Sequence, residues 1–314
     1  MAEERDLVEP TSDRSRTVKR RSRGGRPGEN PYTAYFFLMP NIFGFMVFTA
    51  GPVFFSLVLS FCSWDLSSPL RYVGIDNFRT LLLEDSRFKL AVANTFYFTA
   101  GIIPLETAAS LGLALLLNQK LRLLTFYRTA CFLPVITTWV AVAIVWRWIF
   151  APTGIANYFL SLVGIEGPRW LASSAWAMPA IILASAWKGA GYGAIILLAG
   201  LKNISEEIYE AGDIDGCSAW SRFRHITLPL LTPSLFFVLI MSTMGALQVF
   251  GQVYIMTNGG PGTATRVLML YIYQTAYQWL KMGYASSMAW MFCLVIFAVT
   301  LIQWRYQSKW VHYQ

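Results

Sequence analysis

YEAGDIDGCSAWSRFRHITLP, residues 209–229, carries three acids (Glu210, Asp213, Asp215), two arginines and a histidine. On either side the chain is almost purely apolar for the length of a membrane span. Asn203 with Glu206 three residues later predicts a helix N-cap facing a carboxylate, and Glu206 and Glu207 suit the positive end of a helix dipole. Ile204, Ile208 and Ala211 share one face at helical spacing. The helix is expected to end near Gly212, because Asp215-Gly216 is a strong turn signal. A second short amphipathic helix, from about Ser218 to His225, carries Trp220 and Phe223 before Pro229 opens the next apolar run. Two short helices around a turn, with apolar side chains on a polar body, suit docking into a groove on a soluble partner. A loop that merely caps a bundle is the other reading.

The surroundings decide what the loop belongs to. Of 314 residues, 55% are hydrophobic and 13% charged, against about 25% charged in a soluble domain. With a mean hydropathy of +0.47, the expected class is an all-α polytopic membrane protein and not a globular enzyme. Six stretches are long enough to cross a bilayer: 35–62, 91–117, 129–150, 178–200, 229–250 and 285–304. They are too continuously apolar for alternating barrel strands. Pro40, Pro52, Pro104 and Pro134 interrupt them, as membrane helices tolerate.

Basic residues set the orientation. One side collects sixteen of them, in the N-terminal tail, loops 118–128 and 201–228, and the C-terminal tail; the other side has seven. Both termini are therefore expected in the cytoplasm. Residues 1–31 read as a disordered basic tail, where a membrane-abutting anchor fits better than nucleic-acid binding, and 32–314 as one transmembrane domain. The apolar run from Tyr35 is too long, and its polar leader too extended, for a cleaved signal peptide. Cys62, Cys131, Cys217 and Cys293 are widely spaced, without a CxxC or Cys/His ligand pattern, and read as small apolar packing residues. In the longer external segments, IDNFRTLLLED and TRVLMLYIYQTAYQWL each predict a short helix at the outer surface.

The pattern Glu210-Ala211-Gly212, then Gly216, then Ile226-Thr227-Leu228-Pro229 closely resembles the signature loop of binding-protein-dependent ABC transporter permeases. Gly212 stands where that family usually has Ala. The resemblance covers nearly all of 32–308, and FLPVITTWVAVAIVWRWIFAPTGIAN and MTNGGPGTATRVLMLYIYQTAY are similar to the carbohydrate-uptake branch, related to the maltose and glycerol-3-phosphate permeases. The segment Asn258 to Pro261, followed by Thr263 or Thr265, carries the likeness to that branch. The resemblance implies a type I importer permease fold in a prokaryotic cytoplasmic membrane, and a loop (Glu210, Ala211, Gly212, Asp215, Gly216, Ile226, Leu228, Pro229) that inserts into an ATP-binding subunit. It implies as partners a second homologous permease, two ATP-binding subunits, an extracytoplasmic solute-binding protein and a sugar. This chain has no GxxxxGK[ST] loop, so ATP is expected on the partner, with no cofactor, catalytic residue or metal here.

Glu106 and Lys188 fall near mid-membrane, where an ionisable residue is a functional hypothesis by default. They either pair across the bundle or face a water-filled path; Arg147, nearer the outer end, is expected to snorkel to the interface. For a sugar path the further candidates are Asn94, Tyr97, Trp187, Tyr192, Gln248, Gln252 and Tyr254. Gln248 and Gln252 are expected one turn apart on the fifth helix, as sugar contacts or as helix–helix glue. An ion-coupled secondary carrier for a small polar solute is the alternative function, with Glu106 its one candidate carboxylate and no internal repeat in view. A membrane-embedded enzyme lacks support, since His225 and His312 have no metal-spacing partners.

Overall fold

The structure, a computed structural model, describes residues 31–119 and 122–310. The basic tail lies, but for Pro31, outside these residues. The chain divides after Val53 into two compact units. The first holds α1 (Pro31–Phe45), the π-helical turn Met46–Ala50 and the start of α2 (Gly51–Ser60). Its large apolar side chains, Phe36, Phe43 and Phe48 among them, are exposed, as a lipid-facing helix requires.

In the second unit, β1 (Cys62–Ser63) pairs antiparallel with β2 (Arg71–Tyr72). After α3 (Asp76–Arg79) and a π turn, Asp85 caps α4 (Ser86–Leu117), its carboxylate accepting Phe88 N–H at 3.0 Å. Next come α5 (Leu124–Ile136) and α6 (Trp139–Ile149), which meet at 100° because Thr137 and Thr138 are both extended. The short α7 (Ile155–Leu162) leads to α8 (Ala177–Lys202), the most buried of the long helices. A chain of short pieces, α9 (Glu206–Ile214), α10 (Ala219–Arg222) and α11 (Leu228–Leu230), then feeds α12 (Thr232–Leu247). α13 (Gly251–Met256), α14 (Leu268–Tyr273) and α15 (Met282–Trp310) complete the order.

Among the described residues four helices are long and apolar enough to cross a membrane: Tyr35–Ser60, Ser86–Leu117, Ala177–Lys202 and Met282–Gln307. The expected third and fifth spans are not single rods. Leu124–Ile136 with Trp139–Ile149, and Ala219–Leu230 with Thr232–Leu247 (bent by 66°), make six only if each bent pair is one broken span. The hydropathy of the 129–150 run hides the break, since Thr137 and Thr138 interrupt it by only two polar residues. The stretches IDNFRTLLLED and TRVLMLYIYQTAYQWL do contain short helices, and a two-stranded pairing precedes the first of them.

Because lipid tails give helices little hydrophobic reason to associate, packing in the membrane depends on small residues and hydrogen bonds. The glycines of KGAGYGA on α8 act this way. A Cβ on Gly191 would lie 2.1 Å from the Cys131 carbonyl oxygen of α5, and one on Gly193 would lie 2.4 Å from Ser110 Oγ of α4. Ser110 Oγ in turn donates to the Ala190 carbonyl at 3.0 Å. Three apolar clusters fill the rest: one around Phe98, Met178, Ile181 and Val253; one around Leu117, Leu197, Leu201, Leu231 and Leu235; one around Leu81, Leu268 and Met288.

Candidate functional site

The loop between α8 and α12 is built locally. Its cap is Ser205, whose Oγ accepts Glu207 N–H at 3.3 Å. The expected cap, Asn203, instead ends α8 with helical angles, and so cannot take the extended backbone of an N-cap. α9 continues two residues past Gly212 to Ile214. It stops where Gly216 turns to φ +73°, and Gly216 N–H and Cys217 N–H donate to the Asp213 and Gly212 carbonyls at 3.2 and 2.9 Å. This pair of bonds is a Schellman closure, which wants glycine at the left-handed position.

Ser218 Oγ accepts Ser221 N–H at 3.2 Å and starts α10. The second helix is not one piece from Ser218 to His225: after Arg222 it widens into a π turn, Phe223–Thr227. Arg222 Nη1 donates to Asp213 Oδ1 at 2.7 Å, and the Tyr209 and Thr227 hydroxyls meet at 3.3 Å, so two side-chain links tie the halves. Gly212 is buried, and a Cβ there would stand 2.8 Å from Ile226 Cδ1. The Gly for Ala exchange thus lets α9 lie close against Ile226.

Ile204 anchors this body in the Leu197–Leu231 cluster, so it does not share an outward face with Ile208. On the outside Ile214 is 86% and Trp220 68% exposed. Glu210, Ala211 and Asp215 are exposed beside them, while Ile226, Leu228 and Pro229 are half-buried on the inner side.

The second candidate region is a cavity of about 340 Å³ between α4, α6, α8, α12 and α13. Glu106, Tyr192, Gln248 and Gln252, four of the expected path residues, line it together with Trp139 and Ser242. Ser242 Oγ donates to Glu106 Oε1 at 3.2 Å. Gln248 and Gln252 reach it from separate elements: α12 ends at Leu247, and Phe250 (φ −145°, ψ −64°) breaks the chain before α13. They are therefore not one turn apart on one helix.

Lys188 makes no ion pair with Glu106 among the described residues. Its ammonium donates to the Pro134 and Val135 carbonyls at 2.9 and 3.0 Å and stands 5.1 Å from the Trp139 ring centre. The break between α5 and α6 exposes carbonyls that outbid the carboxylate. Arg147 donates to the Ile255 carbonyl at 3.4 Å.

Asn94 and Tyr254 also lie elsewhere. Asn94 Nδ2 donates to the Thr263 and Arg266 carbonyls at 2.9 and 3.1 Å, and the neighbouring Thr95 Oγ1 accepts Leu268 N–H at 2.9 Å. Thr265, fully buried, donates to the Gly260 carbonyl at 2.7 Å and meets the Thr257 hydroxyl at 2.7 Å. The 263–268 stretch that follows Asn258–Pro261 is thus fastened to α4, and Thr265 ties Gly260 to that stretch. Tyr254 stacks on Phe250 and edges Tyr273 in an aromatic group. Trp187 is exposed and meets Trp146 edge-on; Tyr97 is exposed.

The sequence reading missed Ser242, Trp139, Gly245 and Ser185. Ser185, Gly189 and Tyr192 follow one another at helical spacing on α8 and all line the cavity, a signal that was available. A larger cavity, about 690 Å³, lies beside Trp64, Asp85 and Trp279 and contains none of the candidates. Burial raises the Asp85 carboxyl, but hydrogen bonds from the Tyr271 and Tyr284 hydroxyls (both 2.7 Å) and Phe88 N–H outweigh it and hold the pKa below the usual value. Burial, then the bond to Asp85, pushes the Tyr271 phenol up. Among the described residues no cluster of three or more His, Cys, Asp or Glu has the arrangement of a metal site.

Residues 107–311 match the family described as binding-protein-dependent transport system inner membrane component. The chain is 39% identical to the probable ABC transporter permease protein YesP of Bacillus subtilis, over 89% of this chain and 92% of that one. It is 36% identical to the lactose transport system permease protein LacF of Rhizobium radiobacter (86% and 92%). Among solved structures it resembles a bacterial ABC transporter involved in import of the acidic polysaccharide alginate, with a TM-score of 0.78, 25% identity, and 88% and 96% coverage. The chain belongs to the binding-protein-dependent ABC transporter permeases, an inner membrane family of transport components and not of enzymes.

Proposed function

With that membership as premise, we propose that this chain forms half of the translocation pathway of an ATP-driven carbohydrate importer. A second permease supplies the other half, two cytoplasmic ATPases bind ATP and receive the 204–229 loop, and an extracytoplasmic binding protein delivers the saccharide. On this reading each bent pair is one span, giving six, with both termini in the cytoplasm. Lactose and arabinooligosaccharide permeases among its relatives support the sugar class. The supporting observation is the loop itself. It holds Ile214 and Trp220 outward on a body fixed by a cap, a Schellman turn and the Asp213–Arg222 pair, and a lever must be rigid and must have something to grip.

Glu106, Tyr192, Gln248 and Gln252 are the groups this half offers to sugar hydroxyls. ATPase closure pushes the loop, and the loop moves α8 and α12, whose inner ends share the Leu197–Leu231 cluster. The test compares ATP hydrolysis with uptake of the saccharide held by the binding protein. Glu210→Lys and Gly216→Asp are expected to leave the assembled complex hydrolysing ATP while uptake falls. Wild-type uptake in both variants would refute the coupling role.

A further inference from the structure

The elbow between α5 and α6 presents a problem of unpaired groups. The last four carbonyls of a helix have no partner within it, and a bilayer offers no water to satisfy them. At the end of α5 the Leu133 carbonyl accepts Thr137 Oγ1 at 2.8 Å. The next two, Pro134 and Val135, accept Lys188 Nζ from α8. An ammonium has three donor positions. Here two are spent on carbonyls, and the charge faces the Trp139 ring, a favourable cation–π geometry. One turn further along α8, Gly191 lets the α5 backbone come into contact: a Cβ there would meet the Cys131 carbonyl oxygen and the Val135 side chain. The lysine and the glycine therefore grip the same turn of α5, and the residue just past the elbow, Trp139, lines the cavity with Glu106 and Gln252.

We propose that Lys188 is a positioning residue of transport: it locks the α5–α6 elbow onto α8 and so holds Trp139 in the cavity wall, without itself touching the solute. Its consequence for transport depends on the importer reading; its grip on the elbow does not. The test uses the chain assembled with its partner permease and ATPases in lipid nanodiscs, with native cysteines replaced. Spin labels go on Ile144 of α6 and Ile195 of α8, both exposed, and their distance distribution is measured without nucleotide.

Lys188→Met is expected to broaden the distribution at least about twofold, since it frees a helix end with two unpaired carbonyls. Lys188→Arg, which restores paired donors, is expected to keep the wild-type width. Lys188→Gln, with one amide donor group, gives an intermediate width and serves if the Met variant does not assemble. Wild-type widths in the Met or Gln variant would overturn the proposal, as would a broadened Arg variant.

A second label pair, on Asn203 at the inner end of α8 and on Tyr72, both exposed and outside the 204–229 loop, reports the importer reading separately. Trapping the ATPases with ADP and vanadate after ATP hydrolysis is expected to shift their distance in wild type and Lys188→Arg and not in Lys188→Met. No shift in wild type would refute the importer reading and the transport role of Lys188, while the elbow result would still show whether the grip exists.

Discussion

The loop at 204–229 and the cavity around Glu106 are assembled in opposite ways. The hydrogen bonds that shape the loop span at most eighteen residues: Ser205 to Glu207, Gly216 to Asp213, Asp213 to Arg222, Tyr209 to Thr227. The cavity draws Glu106 to Ser242 across 136 residues and takes its wall from five helices. A locally tied element moves as one body, which suits a lever. A wall shared among helices changes shape when any of them shifts, which suits a gated path.

Filling the cavity would break that contrast most severely. Gly245 faces it, and a Cβ there meets nothing within 4 Å. Gly245→Phe is therefore expected to retain ATP hydrolysis and lose most uptake, because the ring would project into the cavity rather than into packed helices. Normal uptake would remove the cavity from the pathway.

The same logic separates two glycines by what they touch. Gly191→Ala forces a Cβ against the Cys131 carbonyl oxygen, which is backbone and cannot yield. Overpacking of this kind costs about 1–3 kcal/mol and should lower the melting temperature of the detergent-purified complex. Gly112→Ala on α4, with open space around it, should be neutral or stabilising by up to about 1 kcal/mol. Equal effects at the two positions would contradict the packing of α5 on α8.

What could be read in the sequence follows the same division. The turn at Asp215-Gly216 and the second short helix were visible because their causes lie within a few residues. The cap was misplaced by two residues, since Asn203 and Ser205 are both good caps and only the end of α8 decides between them. Glu106 and Lys188 were recognisable as unusual, but not as unpaired with each other. Lys188's true partners are carbonyls 53 and 54 residues earlier, made available by a helix break that two threonines barely mark. Gln248 and Gln252 both reach the cavity, although the helix expected to carry them ends at Leu247, just before the first of them.

Smaller effects sharpen the local side of the comparison. Ser205→Ala removes one side-chain acceptor at the start of α9 and should cost about 1 kcal/mol, seen as faster amide exchange in α9 with the cavity helices unchanged. At the other end of the molecule, the Asp85 carboxyl has a folded pKa below its ordinary 3.8. A depressed acid stabilises the fold fully above 3.8, and the contribution is lost as pH falls through the lower folded value. Melting temperature should therefore decline in that acid window, and Asp85→Asn should flatten the decline.

The proposed grip of an ATPase subunit on the 204–229 loop can be trapped covalently. It is tested most directly by cross-linking from Ile214→Cys, with Tyr72→Cys on the β1–β2 pair as the control at a second exposed site. A cross-link from Ile214→Cys to the ATPase is expected, with a yield that changes with bound nucleotide, and none from Tyr72→Cys. An ATPase cross-link from Tyr72→Cys and none from Ile214→Cys would contradict it.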